Sequence, residues 1–197
     1  MVTYGTVSDS AAENRVLDAA RLCVDRWGLS KVTIDDVAAE AGVSRATLYR
    51  LFPGGKDILF EALRGRELAE FFDGLRQHVL DADSLMDFAV RVSVYALQEM
   101  KNDQHLATML ATAEGDTLKS LTVEGLPQIL QVASTYIVPL ANRFLGEDDA
   151  EVLVELLARL IISCFLAPSG HFDLSDPVSA RRVIAPFVMS LQQPVPL

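Results

Sequence analysis

Cysteine is scarce in this chain. Cys23 and Cys164 are the only two in 197 residues, they lie far apart, and each falls among apolar neighbours. Both read as small buried hydrophobes rather than as a disulfide or a redox pair. The three histidines, His78, His105 and His171, share no metal-ligand spacing with each other or with the cysteines, so no metal and no cofactor is expected. Long apolar runs are missing too. The densest, residues 160–167, stops at Pro168, far short of the roughly 18 residues that span a bilayer. The first residues carry no basic-then-apolar leader. These absences read as a soluble, cytoplasmic protein with no membrane partner. No nucleophile elbow, phosphate loop, zinc pattern or paired carboxylates with supporting context occur, which argues against an enzyme. Glu114 and Asp116 flank Gly115 in an expected turn, a solvated break rather than an acid/base dyad. Strand-like alternation and internal repeats are also absent.

Apolar residues, by contrast, are plentiful: half the chain is hydrophobic and the mean hydropathy is +0.25. A chain of this length can bury a sizeable core, and the surplus has to pack or form an interface. The net charge of −10 is unevenly spread. Through residue 66, nine basic residues balance nine acidic ones, so the remainder carries the whole deficit. Residues 41–56 contain Arg45, Arg50 and Lys56 and no acid. A local positive face on an acidic body suits oriented contact with phosphates.

Helical periodicity accounts for nearly all of the chain. Residues 1–9 look loosely held, and Ser10 to Glu13 forms a capping box that should open a first helix. Ala12, Val16, Ala19, Ala20, Cys23 and Trp27 give it a buried stripe, and Gly28 ends it. A long helix is expected over about 56–80, roughly 35–40 Å at 1.5 Å per residue. Further helices are expected over 84–101, 105–112, 126–145 with a kink at Pro139, 148–167, and from Asp176 onward with Pro186 inside. The fold therefore reads as all-α with about nine helices. Residues 10–55 form a first domain and residues 56–197 a second, with helix 56–80 linking them.

Residues 33–52 are the stretch around which the rest is organised. Thr33 can cap a short helix whose first turn carries Asp35 and Asp36. Gly42 ends that helix, and Ser44 caps a second one. Val37, Ala38 and Ala41 on the first helix and Leu48 and Leu51 on the second point into a small shared core. Val43 closes the turn, and Ala38 lets the two backbones approach. An ordinary αα-hairpin is the competing reading. Six apolar or small positions and one glycine at fixed offsets favour a DNA-reading helix-turn-helix instead.

This segment, with a helix before it and a long one after it, resembles the TetR family of one-component transcription regulators. The resemblance covers the first quarter to third of the chain; the remainder agrees in helix number and length. It implies a homodimer that binds a palindromic double-stranded DNA operator and releases it when a small-molecule effector enters the second domain. Carried over residue by residue, Arg45, Ala46 and Tyr49 meet the major groove, and Arg45 can donate two hydrogen bonds to a guanine edge. Thr33, Ser44, Thr47, Arg50 and Lys56 fall at or near the DNA backbone. There are two departures. Leu51 stands where many members carry a histidine or tyrosine, and Pro53-Gly54-Gly55 is one residue longer than the common form.

Phe71, Phe72, Met86, Phe88, Tyr95, Met100, His105, Met109, Ile129, Val132 and Tyr136 occupy the helices that line the effector cavity in that family. Few charges interleave with them, so the expected effector is apolar, anchored by His105, Tyr95, Gln98 or Tyr136. Leu153, Leu156, Leu157, Leu160, Ile161, Cys164 and Phe165 form a stripe on the penultimate helix, and Ala180, Ile184, Phe187, Val188 and Leu191 form another on the last. Two such stripes suit a four-helix dimer interface. The dimer would set its recognition helices about 34–36 Å apart. An apolar-ligand carrier with a vestigial DNA domain is the alternative. Arg45, Tyr49 and the basic 41–56 run argue against it.

Overall fold

The computed structural model describes residues 7–102 and 126–192. Among these residues there are eight helices and no strand. They are α1 (Val7–Trp27), α2 (Ile34–Ala41), α3 (Arg45–Leu51), α4 (Lys56–Val79), α5 (Leu85–Asn102), α6 (Leu126–Ala141), α7 (Glu147–Leu166) and α8 (Pro177–Leu191). The helix expected over 105–112 lies outside the described residues. The chain divides into two compact units that meet between Leu68 and Ala69, within α4.

In the first unit, α1, α2 and α3 pack on one another. Val16, Ala20, Cys23, Val32, Val37, Leu48, Leu59 and Leu63 are at or near complete burial. Thr33 and Asp36 form a reciprocal capping box: the Asp36 N–H donates to the Thr33 hydroxyl at 3.2 Å, and the Thr33 N–H donates to the Asp36 carboxylate at 2.9 Å. Gly42 sits at φ 64°, and the Val43 N–H reaches back to the Ala38 carbonyl at 3.0 Å, closing α2 as a left-handed cap. Ser44 caps α3 by accepting from the Thr47 N–H at 3.1 Å.

Several details depart from expectation. Helix α1 begins at Val7, a turn before its capping box, because a box marks a favourable start without forbidding an earlier one. Trp27 is 42% exposed: it is the last residue of α1, and the Arg26 guanidinium rather than the core covers its ring, at 5.4 Å. Ala41, Val43 and Leu51 are only half-buried, while Ile34 and Phe52 take places in the core.

In the second unit, α5 is buried along most of its length and packs on α7 and α8, while α6 packs on α7. Helix α6 ends at Ala141, four residues earlier than expected. Just beyond it, the Arg143 guanidinium donates to the Leu80 and Ala82 carbonyls at 2.9 and 3.2 Å, tying this turn to the α4–α5 connection. Helices α6 and α8 run through Pro139 and Pro186. Asp173, in the α7–α8 loop, accepts from Lys101 at 3.1 Å and from the Ser175 N–H and hydroxyl at 2.9 and 2.7 Å. Those hydrogen bonds, Ser175 first and Lys101 next, hold its carboxyl at about 2. Cys23 and Cys164 are free and buried, and burial pushes both thiols up, as inert core cysteines require.

Candidate DNA-reading surface and apolar cavity

Helix α3 presents its polar face outward because Leu48, its fully buried residue, fixes the rotation of the helix. One position along, Tyr49 is 42% exposed. Arg45, one turn earlier, lays its guanidinium over the Tyr49 ring at 5.6 Å. The Tyr49 side chain first, and the nearby Asp35 carboxylate next, push the arginine above its already high ordinary value. Arg45 Nη1 also donates to Asp35 Oδ2 at 3.2 Å. Arg45 and Tyr49, one turn apart on α3, are thus brought together. The role of Asp35 was not anticipated beyond its place in the first turn of α2.

The Tyr49 ring rests on the turn that follows. Gly55 has φ 73°, and a Cβ there would lie 3.1 Å from Tyr49 Cε1. Gly54 has φ 122°, and a Cβ there would lie 2.6 Å from Ile58 Cγ1. The longer Pro-Gly-Gly turn therefore meets both a backbone demand and a space demand. Ala46 and Arg50 are exposed on the same helix, and Thr33 and Ser44 are exposed at the starts of α2 and α3. Thr47 is half-buried, its hydroxyl 2.8 Å from that of Ser44. Lys56 is directed inward: Nζ donates to the Leu29 carbonyl at 3.4 Å and lies 5.7 Å from the Phe60 ring centroid.

The second unit holds a cavity with about 610 Å³ of atom-free space, a figure that includes solvent at its mouth. Its walls are Phe71, Phe72 and Leu75 of α4, Val92, Ala96 and Met100 of α5, Ile129, Ala133 and Ile137 of α6, and Val154, Leu157, Ala158, Ile161 and Ile162 of α7. Every one of these side chains is apolar. Of the residues expected to line it, Phe71, Phe72, Met100 and Ile129 do so. Phe88 is fully buried in another layer, against the Phe144 ring at 5.8 Å. Tyr136 is 47% exposed and stacks on Phe72 at 4.5 Å, behind the wall rather than in it. Tyr95 packs on Phe71 at 5.9 Å and on His78 at 4.6 Å, its hydroxyl occupying the space a side chain at Gly74 would need. Met86 and Val132 are half-buried and away from the walls, and Gln98 is committed to the Ser175 carbonyl at 2.9 Å. His105 and Met109 lie outside the described residues. Ala96, Ala133 and Ala158 complete the walls, and none of the three is among the residues expected there.

The two apolar stripes on α7 and α8 each divide. Leu153, Leu157, Ile161, Cys164, Ile184 and Val188 are buried within the chain itself. Leu156 and Phe187 stay 40% and 44% exposed, and Leu160, Phe165 and Leu191 are half-buried. Among the described residues, no helix is long and apolar enough to cross a membrane, and no three of His, Cys, Asp and Glu converge to hold a metal ion.

Residues 16–63 match the family model described as bacterial regulatory proteins, tetR family. An uncharacterised HTH-type transcriptional regulator of Mycobacterium tuberculosis is 32% identical over 127 residues, covering 60% of this chain and 65% of that protein. The chain therefore matches just under two thirds of that relative's length. The HTH-type transcriptional regulator AlkX of M. tuberculosis is 24% identical over 94% of this chain and 89% of its own. The crystal structure of the TetR family repressor AlkX from Dietzia sp. strain DQ12-45-1b, implicated in biodegradation of n-alkanes, shares the fold. It has a TM-score of 0.63 at 24% identity, over 92% of this chain and 97% of that one. The matched segment contains α2, the Gly42 turn, α3 and the start of α4, the elements whose geometry builds the exposed Arg45–Tyr49 face, and over that segment the chain is similar to the TetR family.

Proposed function

We propose that this chain is a homodimeric, sequence-specific transcriptional repressor whose α3 reads one half of a palindromic operator. An uncharged, apolar effector in the cavity of the second unit releases it. The observation that carries the reading is the outward face of α3, where Arg45 and Tyr49 stand together on a helix fixed by Leu48. Neither side chain supports the core, and a guanidinium with five N–H donors is the group best suited to a guanine edge. Arg45 and Tyr49 read bases, with Ala46 allowing close approach. Thr33, Ser44, Thr47 and Arg50 contact the backbone, and Lys56 joins them once released from the Leu29 carbonyl.

The apolar lining supports an effector without charge along its buried length, because a charged or hydrogen-bonding group there would lose its water without a partner. The outward half of the α7 and α8 stripes supports the dimer. Leu156, Leu160 and Phe187 border a groove with Arg159, and their counterparts on a second copy would complete a four-helix interface. An effector that shifts the separation of two half-site readers by 1–3 kcal/mol of coupling changes operator affinity about 5–150-fold.

The test is selection of duplexes from a randomised pool by the purified protein, followed by titration of the selected duplex with and without a long-chain alcohol. A two-fold symmetric consensus, and loss of affinity to the alcohol, are expected. Binding without sequence preference would refute the operator reading. Release by strongly polar molecules alone would refute the effector reading.

A further inference from the structure

We propose that Asp35 is a specificity-determining residue: its carboxylate holds the Arg45 guanidinium in the pose that meets a base edge and denies it to phosphates. This rests on the reading of α3 as the DNA-reading helix and adds a residue of α2 to it. Asp35 stands in the first turn of α2, where an acid is ordinarily explained by capping or by the helix dipole. The capping role is already filled, because Thr33 and Asp36 satisfy each other's groups. The Asp35 carboxylate instead accepts from Arg45 Nη1 at 3.2 Å, across ten residues of sequence.

The pair is not explained by stability. Arg45 and Asp35 side chains are 62% and 65% exposed, and exposed ion pairs contribute little to folding. What the pair does is geometric. Arg45 is a long side chain held at two points, by Asp35 on one side and by the ring face of Tyr49 on the other. One Nη1 N–H goes to Asp35, and the remaining donors of the fork stay available to a base.

The electrostatics point the same way. A carboxylate on a surface that meets a polyanion opposes approach to any phosphate, and it makes with Arg45 the same kind of charge-assisted bond that a phosphate would. A phosphate that takes Arg45 either displaces the Asp35 carboxylate or sits beside it and is repelled, whereas a base edge carries no net charge for the carboxylate to oppose. The acid therefore lowers affinity for random DNA more than for the cognate site, and discrimination is a difference of those two affinities.

The experiment measures the affinity of wild type, Asp35→Ala, Asp35→Asn and Arg45→Ala, and of the Asp35→Ala/Arg45→Ala double variant, for the duplex selected by wild type and for a scrambled duplex. Each titration is run at several salt concentrations, and folding is checked by circular dichroism. Loss of the carboxylate is expected to tighten scrambled-duplex binding and to lower the cognate-to-scrambled ratio about tenfold, within the roughly 5- to 150-fold that one bidentate base contact discriminates. The slope of log affinity against log salt on scrambled DNA should steepen by about 1, as Arg45 turns to a phosphate. Asp35→Asn should fall between the two. In the Arg45→Ala background, Asp35→Ala should change the ratio less than about twofold, since the two residues act as one. An unchanged ratio in folded Asp35→Ala overturns the proposal, as does an equal gain for both duplexes or the same effect with Arg45 absent. If wild type selects no sequence, the reading of α3 fails and this inference fails with it.

Discussion

Gly55 offers a sharp separation of stability from DNA reading. Its backbone lies at φ 73°, where an L-residue costs about 1–2 kcal/mol. A methyl there would also lie 3.1 Å from Tyr49 Cε1 and 3.6 Å from its hydroxyl, so the ring must move by a few tenths of an ångström. Gly42 is the control: it has φ 64°, but its Cβ would meet nothing within 4 Å. Gly55→Ala and Gly42→Ala should therefore lose similar stability. For a chain of this size, 1–2 kcal/mol lowers Tm by roughly 2–8 °C. Only Gly55→Ala shifts Tyr49 and, through the ring, the Arg45 stacked on it. Gly55→Asn tolerates the left-handed region better but still carries a Cβ against the ring, so it should not recover binding. Thermal melts and fluorescence anisotropy on the selected duplex, at a temperature where every variant is folded, separate the two effects. Equal loss of affinity in Gly42→Ala and Gly55→Ala would show that the glycine seat of Tyr49 plays no part in reading.

Filling the cavity with Ala133→Leu or Ala158→Leu should abolish release by a long-chain alcohol while leaving operator affinity within about twofold, at an overpacking cost of about 1–3 kcal/mol read from thermal melts. Leu156→Asp with Phe187→Asp places charge on the half-exposed sides of α7 and α8. Sedimentation should then report a monomer at micromolar concentration that still melts cooperatively, whereas an unchanged mass would remove those residues from the interface. Asp173 gives a pH signature. Its folded value, about 2, lies below the ordinary 3.8, so its contribution is present above pH 3.8 and is lost as pH falls through 2. Asp173→Asn should thus be less stable at neutral pH, by about 1 kcal/mol or less given the exposure of the Lys101 pair, and the difference should vanish near pH 2.

The helix-turn-helix was legible because its signals are local. A cap, a left-handed glycine and a second cap within a dozen residues leave the backbone few choices, and Thr33, Gly42 and Ser44 adopt the conformations their chemistry favours. The α7 stripe was legible only as apolar. Periodicity names a face but not what lies against it, so Leu153 and Leu157, which turn inward, could not be told from Leu156 and Leu160, which turn out. The Asp35–Arg45 pair left no trace at all, since two surface charges ten residues apart meet only once the Gly42 turn sets the angle between their helices. Lys56 is a similar case. A charge matched to a family position turned inward because the Leu29 carbonyl and the Phe60 ring were within reach. The cavity was half legible: its large residues were found, whereas the alanines that leave it empty carry no hydrophobic signal of their own.

The central claim is that Arg45 and Tyr49 on α3 read base edges. Its most direct test is the cognate-to-scrambled affinity ratio of Arg45→Ala, measured by anisotropy at fixed salt on the duplex selected by wild type. The ratio should fall about 5- to 150-fold, a loss of about 1–3 kcal/mol of discrimination for one bidentate contact, with scrambled-duplex binding changed far less. A folded Arg45→Ala protein that binds the selected duplex as tightly and as selectively as wild type would contradict it.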